Sequence, residues 1–201
     1  MGLRPFFGSI AASGYAQPVF GTALTAAVVP LPDQFSGRND PASNQTQVSV
    51  TVTSTKGFIS GDRVTIGPTN SFNPGLATAA QMAKVDNVTV KSITDGTHMV
   101  VQGLQLSHAA TGEWVVLNED AGSVHIRPVV TTAAVYIGNA STISSSDVSL
   151  MDILPINAAA GTGPVYWFDA NTMGLSQPYQ TAQFWVNGTA SDTFLARFSQ
   201  I

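Results

Sequence analysis

Single apolar residues alternating with serine and threonine constrain this chain more than any other feature. Val48, Val50 and Val52 are separated by Ser49 and Thr51, the period of a strand with one buried and one wet face. Val64 and Ile66 alternate with Thr65 and Gly67, Val88 and Val90 flank Thr89, and Val124 and Ile126 flank His125. Met99-Val100-Val101 and Trp114-Val115-Val116-Leu117 are unbroken apolar runs, which suit strands covered on both faces. Turn chemistry falls between these segments at Gly61-Asp62, Asn73-Pro74-Gly75, Asp95-Gly96, Gly138-Asn139, Gly161-Thr162-Gly163-Pro164 and Asn187-Gly188. Asp95-Gly96 lies between two apolar-periodic runs and predicts a tight hairpin of the primed-turn type. Strands repeating at about 8–12 residues with turns between them predict a barrel or a sandwich. The one helix candidate is 76–84, where Ala79, Ala80 and Ala83 follow Leu76 at helical spacing; a short helical turn and a small-residue strand fit it equally well. An all-β fold is the expectation.

The chain divides into three parts on this reading. Residues 1–44 form an extended N-terminal arm ending in the polar linker 36–44. Residues 45–127 form a small barrel-like module, and residues 128–201 a sandwich-like module, with Pro128 near the seam. Each module has about 75–85 residues, enough to bury a core without staples.

The first 32 residues carry one charge, Arg4. The opening resembles a signal peptide only loosely, because Pro5, Gly8, Ser9, Ser13 and Gly14 interrupt the apolar core that such a segment needs. Residues 5–32 are long enough to span a bilayer at about 20 residues. Gly8, Gly14, Gln17, Pro18, Gly21, Pro30 and Pro32 break that stretch, and unsatisfied backbone in lipid argues against a crossing helix. An arm docked on another subunit is the better reading, with Phe6, Phe7, Tyr15, Val19 and Phe20 as the anchors. Deleting residues 1–30 should then leave a folded chain that has lost its attachment.

Composition narrows the function. Only 10% of the 201 residues are charged, against about 25% in an average domain. Ser, Thr, Asn and Gln supply the polarity, with 19, 21, 10 and 11 residues. The 44% hydrophobic content excludes a disordered chain, and the absence of cysteine excludes disulfide scaffolds and thiol chemistry. A net charge of −4 argues against a nucleic-acid surface, which needs clustered Lys and Arg.

Candidate chemistry is thin. His98, His108 and His125 are the only histidines and lack metal-ligand spacing. Glu119-Asp120 and residues 147–152 could contribute to an irregular calcium site, but turn-capping carboxylates explain them better. No Gly-x-Ser-x-Gly elbow is present, and the two glutamates do not single out a glycosidase pair. Gly161-x-Gly163-Pro164 puts proline where a phosphate loop needs a helix start. Neither a catalytic residue, a metal nor a cofactor is expected. A cleft holding His108 or His125 within reach of a carboxylate would revive an enzyme that acts on cell-wall polymers. Sequons at Asn44, Asn87, Asn139 and Asn187 are what chance supplies in a chain so rich in Ser and Thr.

Large side chains stand next to each other in Tyr166-Trp167-Phe168 and Phe184-Trp185-Val186. Neighbours in a strand face opposite ways, so a second sheet, a subunit or a ligand must cover the other face. Trp114, Trp167 and Trp185 are the candidates for stacking on a sugar.

Three runs carry a resemblance: Gly57-Phe58-Ile59-Ser60-Gly61-Asp62-Arg63-Val64-Thr65-Ile66, then 90–98, then Leu106-Ser107-His108-Ala109-Ala110-Thr111-Gly112-Glu113-Trp114-Val115. They resemble small β modules in virion proteins of tailed bacteriophages. Val135-Tyr136-Ile137-Gly138-Asn139-Ala140-Ser141 and the closing stretch 190–196 look like β domains of head decoration or fibre proteins. The resemblance covers 45–201 and brings no catalytic residues with it. It implies a capsid decoration or cement protein on the particle exterior, made in the bacterial cytoplasm. The implied partners are the major capsid protein and copies of the chain itself, a trimer before a dimer, with neither nucleic acid nor membrane. A host-glycan-binding fibre module is the alternative.

Overall fold

A computed structural model describes residues 4–11, 16–31, 47–69, 78–139, 143, 150–154, 166–169 and 179–200. It is all-β, with one short helix. In chain order the strands are β1 (Arg4–Ser9), β2 (Gln17–Pro18), β3 (Gly21–Ala23), β4 (Gln47–Thr51), β5 (Arg63–Pro68), β6 (Asp86–Ile93), β7 (His98–Gln102), β8 (Glu113–Leu117), β9 (Asp120–Val130), β10 (Val135–Gly138), β11 (Leu150–Leu154), β12 (Tyr166–Asp169), β13 (Tyr179–Gln180), β14 (Trp185–Asn187) and β15 (Thr193–Gln200). The helix α1 spans Ala79–Met82. Thr78 and Gln81 close a reciprocal capping box at its start, which settles the part of 76–84 that is described. No helix of the described residues is long and apolar enough to cross a membrane.

The chain forms two compact units. One comprises Gly21–Phe72 and Leu76–Asn118; the other comprises Met1–Phe20, Asn73–Gly75 and Glu119–Ile201. The boundary therefore falls after Asn118, not at Pro128. Pro128 lies inside β9, opposite Phe194 at a register shift, one of the few places a sheet tolerates a residue without an N–H.

The unit containing residues 21–118 is one antiparallel sheet ordered β3-β8-β5-β6-β7-β4. Its two edges meet: Leu24 bridges Val52, Thr25 N donates to Thr51 O at 3.0 Å, and Thr53 N donates to Ala23 O at 2.9 Å. The bridge ties the two edges together at this point and curls the sheet into a half-barrel. The alternation read from β4 holds, with Val48, Val50 and Val52 buried. Val115, Val116 and Leu117 of β8 are all buried, as a strand covered on both faces requires. Met99 and Val101 are buried but Val100 is not, so β7 has one covered face only.

The β6–β7 hairpin forms where Asp95-Gly96 predicts it, by a different turn. Residues 94–97 connect the strands, and Gly96 does not take the positive φ of a primed turn. Asp95 holds the connection instead: its carboxylate accepts from Thr97 N at 2.7 Å and from His98 N at 2.9 Å.

The other unit contains two sheets, ordered β1-β15-β9-β12, with β13 also on β9, and β11-β10-β14-β2. Their shared core is aromatic. Phe20 is fully buried, with Phe6, Phe198 and Phe184 edge-on around it at centroid distances of 5.8, 5.4 and 6.3 Å. Phe6 and Phe198 come from the first sheet, Phe20 follows β2, and Phe184 precedes β14. This is the sandwich-like module, enlarged by the N-terminus.

The N-terminal segment is extended, but it is not a free arm. β1 pairs with β15 from Arg4 opposite Phe198 to Ser9 opposite Thr193. β2 pairs with β14, and β3 belongs to the other unit's sheet. Gly8 lies directly opposite Phe194, and a Cβ at Gly8 would overlap that ring. Gly8→Ala should therefore cost about 1–3 kcal/mol through overpacking. Gly96→Ala, which meets nothing within 4 Å, should be close to neutral; urea unfolding of the two variants checks the contrast.

Candidate functional site

The residues proposed as docking anchors are mostly core. Phe6 is 3%, Val19 1% and Phe20 0% exposed, because β1 and β2 bring them between the two sheets of their unit. They cannot also reach a neighbouring chain. Phe7 points the other way and is 54% exposed. Tyr15, the linker 36–44, and the turns at 73–75 and 161–164 lie outside the described residues. Among the stacking candidates, Trp185 is fully buried and cannot hold a sugar. Trp114 is partly exposed at the start of β8. Trp167 pairs with His125 in the ladder, and its side chain is outside the description.

Three titratable clusters were candidates for chemistry. The first is buried in the barrel-like unit. His108 Nε2 lies 3.1 Å from Asp86 Oδ2, and Nδ1 lies 2.6 Å from Glu113 Oε2. Asp86 Oδ2 also accepts from Gln105 N at 3.0 Å and Leu106 N at 2.7 Å, and Glu113 Oε1 accepts from Ala109 N at 3.2 Å. A carboxylate at each ring nitrogen requires a doubly protonated imidazolium. Burial pushes the His108 pKa down, but the hydrogen bonds and charges of Asp86 and Glu113 outweigh it and hold the value above the ordinary 6.5. Burial likewise raises the Asp86 pKa, yet His108 and the two backbone N–H groups bring it below its ordinary 3.8.

The cluster ties the loop between β7 and β8 back onto the start of β6. It meets the carboxylate half of the condition for an enzyme but not the cleft: the His108 side chain is 1% exposed and both its nitrogens are engaged. The carboxylates flank the ring on opposite sides. Among the described residues no three His, Asp or Glu side chains are placed to hold a metal ion.

The second cluster is the hairpin cap. His98 Nδ1 lies 2.9 Å from Asp95 Oδ2 on the surface. Backbone donation from Thr97, followed by the contact with His98, holds the Asp95 carboxyl far below its ordinary value. Its side-chain resonance should accordingly stay unshifted in an NMR titration down to pH 3. Titration near the ordinary 3.8 would show that the cap is absent.

The third group lies on the outer face of the β1-β15-β9 sheet, and sequence reasoning missed it. Register places Arg197 opposite His125, Leu195 opposite Arg127, and Phe7 opposite Leu195. His125, Arg127, Leu195 and Arg197 line a depression of about 60 Å³. His125 is 6% exposed. Arg127 Nε is buried, and no described residue accepts its hydrogen bond. The period-two spacing of His125 and Arg127 could have flagged half of this face; Arg197 joins it only through strand pairing.

Of the proposed calcium ligands, Glu119 is buried, with its backbone N–H donating to Thr181 Oγ1 at 3.0 Å. Residues 147–149 are outside the description. The chain matches no known family, no curated protein and no solved structure.

Proposed function

We propose that the chain is a structural component of a phage particle, a decoration or cement protein that binds the head surface and associates with copies of itself. The observation that carries this reading is the outer face of the β1-β15-β9 sheet. Phe7 is 54% exposed on it, Leu195 is partly exposed beside Phe7, and Val130 is 39% exposed at the end of β9. Exposed apolar side chains gathered on one sheet face suit burial against another protein. Chemistry elsewhere supports the same reading, because the buried His108 cluster has both ring nitrogens engaged within the fold.

Attachment thus moves from the N-terminal aromatics to this face. Symmetric closure of identical copies favours a trimer or a dimer. Light scattering on the full chain after size exclusion should give a multiple of 20.9 kDa. A monomer at high concentration would contradict self-association. The glycan-binding alternative rests on Trp114, which remains partly exposed; quenching of its fluorescence by host polysaccharide would favour it.

A further inference from the structure

The depression on the β9–β15 face is lined by two guanidinium groups, those of Arg127 and Arg197. Arg197 stands opposite His125, and Arg127 is the diagonal neighbour of Arg197 across the same pair of strands. Cationic side chains placed so close repel one another, and the chain as a whole is acidic, with a net charge of −4. Two of its eight Lys and Arg residues nevertheless converge here. Arg127 Nε adds a buried donor without a described acceptor, which is costly unless something supplies one.

We propose that this depression receives a carboxylate from a protein partner. The planar fork of an arginine matches the two oxygens of a carboxylate, and about 60 Å³ accommodates such a group. The surroundings select the source. Leu195 lines the depression and Phe7 is exposed beside it, so the complementary surface is an Asp or Glu set among apolar side chains. A free phosphate or an acidic sugar polymer has no use for that apolar border. The inference rests on the attachment reading above and names its polar anchor.

The test is an NMR titration of the full chain with acetate, phosphate and chloride at constant ionic strength, following the backbone amide signals of residues 125–127 and 195–197. Acetate should shift them saturably, chloride should not, and Arg127→Gln with Arg197→Gln should abolish the response by at least tenfold in affinity. Saturation by phosphate alone, or by no anion, would overturn the site. Asp169 stands opposite Ser123 in the same ladder; if acetate binds only after Asp169→Asn, the chain fills its own site and the proposal fails. Particle binding separates this proposal from the reading beneath it. A folded double variant that no longer binds particles supports the carboxylate anchor. A double variant that binds normally overturns the anchor and leaves the decoration reading standing. A wild-type chain that takes up acetate but never binds particles overturns the decoration reading and the partner assignment with it.

Discussion

Phe20→Ala should destabilise the unit built from both chain termini by about 3–5 kcal/mol, the range for removing a fully buried aromatic ring. Phe20 is 0% exposed and is the ring on which Phe6, Phe184 and Phe198 converge. Truncating it leaves three rings facing a void that neither sheet can close without shifting. Deleting residues 1–20 should do more, since β1 then no longer covers the edge of β15 and Phe6, Val19 and Phe20 leave together. That unit should lose its fold. Hydrogen exchange resolves the result by unit: protection should collapse in β9, β14 and β15 and persist in β5 to β8. A truncated chain with protected β15 amides would mean that the N-terminus is a dispensable arm after all.

The second large effect concerns the buried imidazolium. Asp86→Ala should cost about 3–5 kcal/mol, because it strands a charged ring in the interior and takes the acceptor from two part-buried backbone N–H groups. The wild-type cluster should also give the barrel-like unit a pH signature. His108 has a raised pKa, so its contribution is complete below 6.5 and is lost as pH rises through the folded value. Asp86 has a lowered pKa, so its contribution is complete above 3.8 and is lost as pH falls through the folded value. Both are complete between 3.8 and 6.5. Urea unfolding of this unit should therefore show a midpoint that falls on the alkaline side of that window, and His108→Leu should flatten that limb. An unchanged alkaline slope in His108→Leu would contradict the doubly bonded imidazolium.

What could be read from the residues was local. The alternation of Val48, Val50 and Val52 specifies a strand and its buried face because side-chain direction has a strict period of two. Asp95-Gly96 marks a reversal because both residues favour turns, although the Asp95 side chain, not a left-handed Gly96, closes it. Pairing partners were not legible. Alternation fixes which face is buried but not which strand lies alongside, so nothing in residues 4–9 announced the pairing of Arg4 with Phe198. An uncharged segment broken by Gly and Pro looks the same whether it docks on a neighbour or returns to its own sheet. The ionisable groups follow the same logic. His108 and Glu113 are five residues apart, but Asp86 joins them from 22 residues away through the β6–β7 hairpin. Arg127 and Arg197 share a face only because β9 and β15 pair.

On the function proposed above, the chain is a fixed part of a particle exterior, held through the β1-β15-β9 face. Electron cryomicroscopy of the particle to which the proposed function assigns the chain tests this most directly. The map should show symmetric clusters of the two-unit fold on the head, with Phe7, Leu195 and Arg127 covered by neighbouring protein. Particles without the chain, or with that face open to solvent, would contradict it.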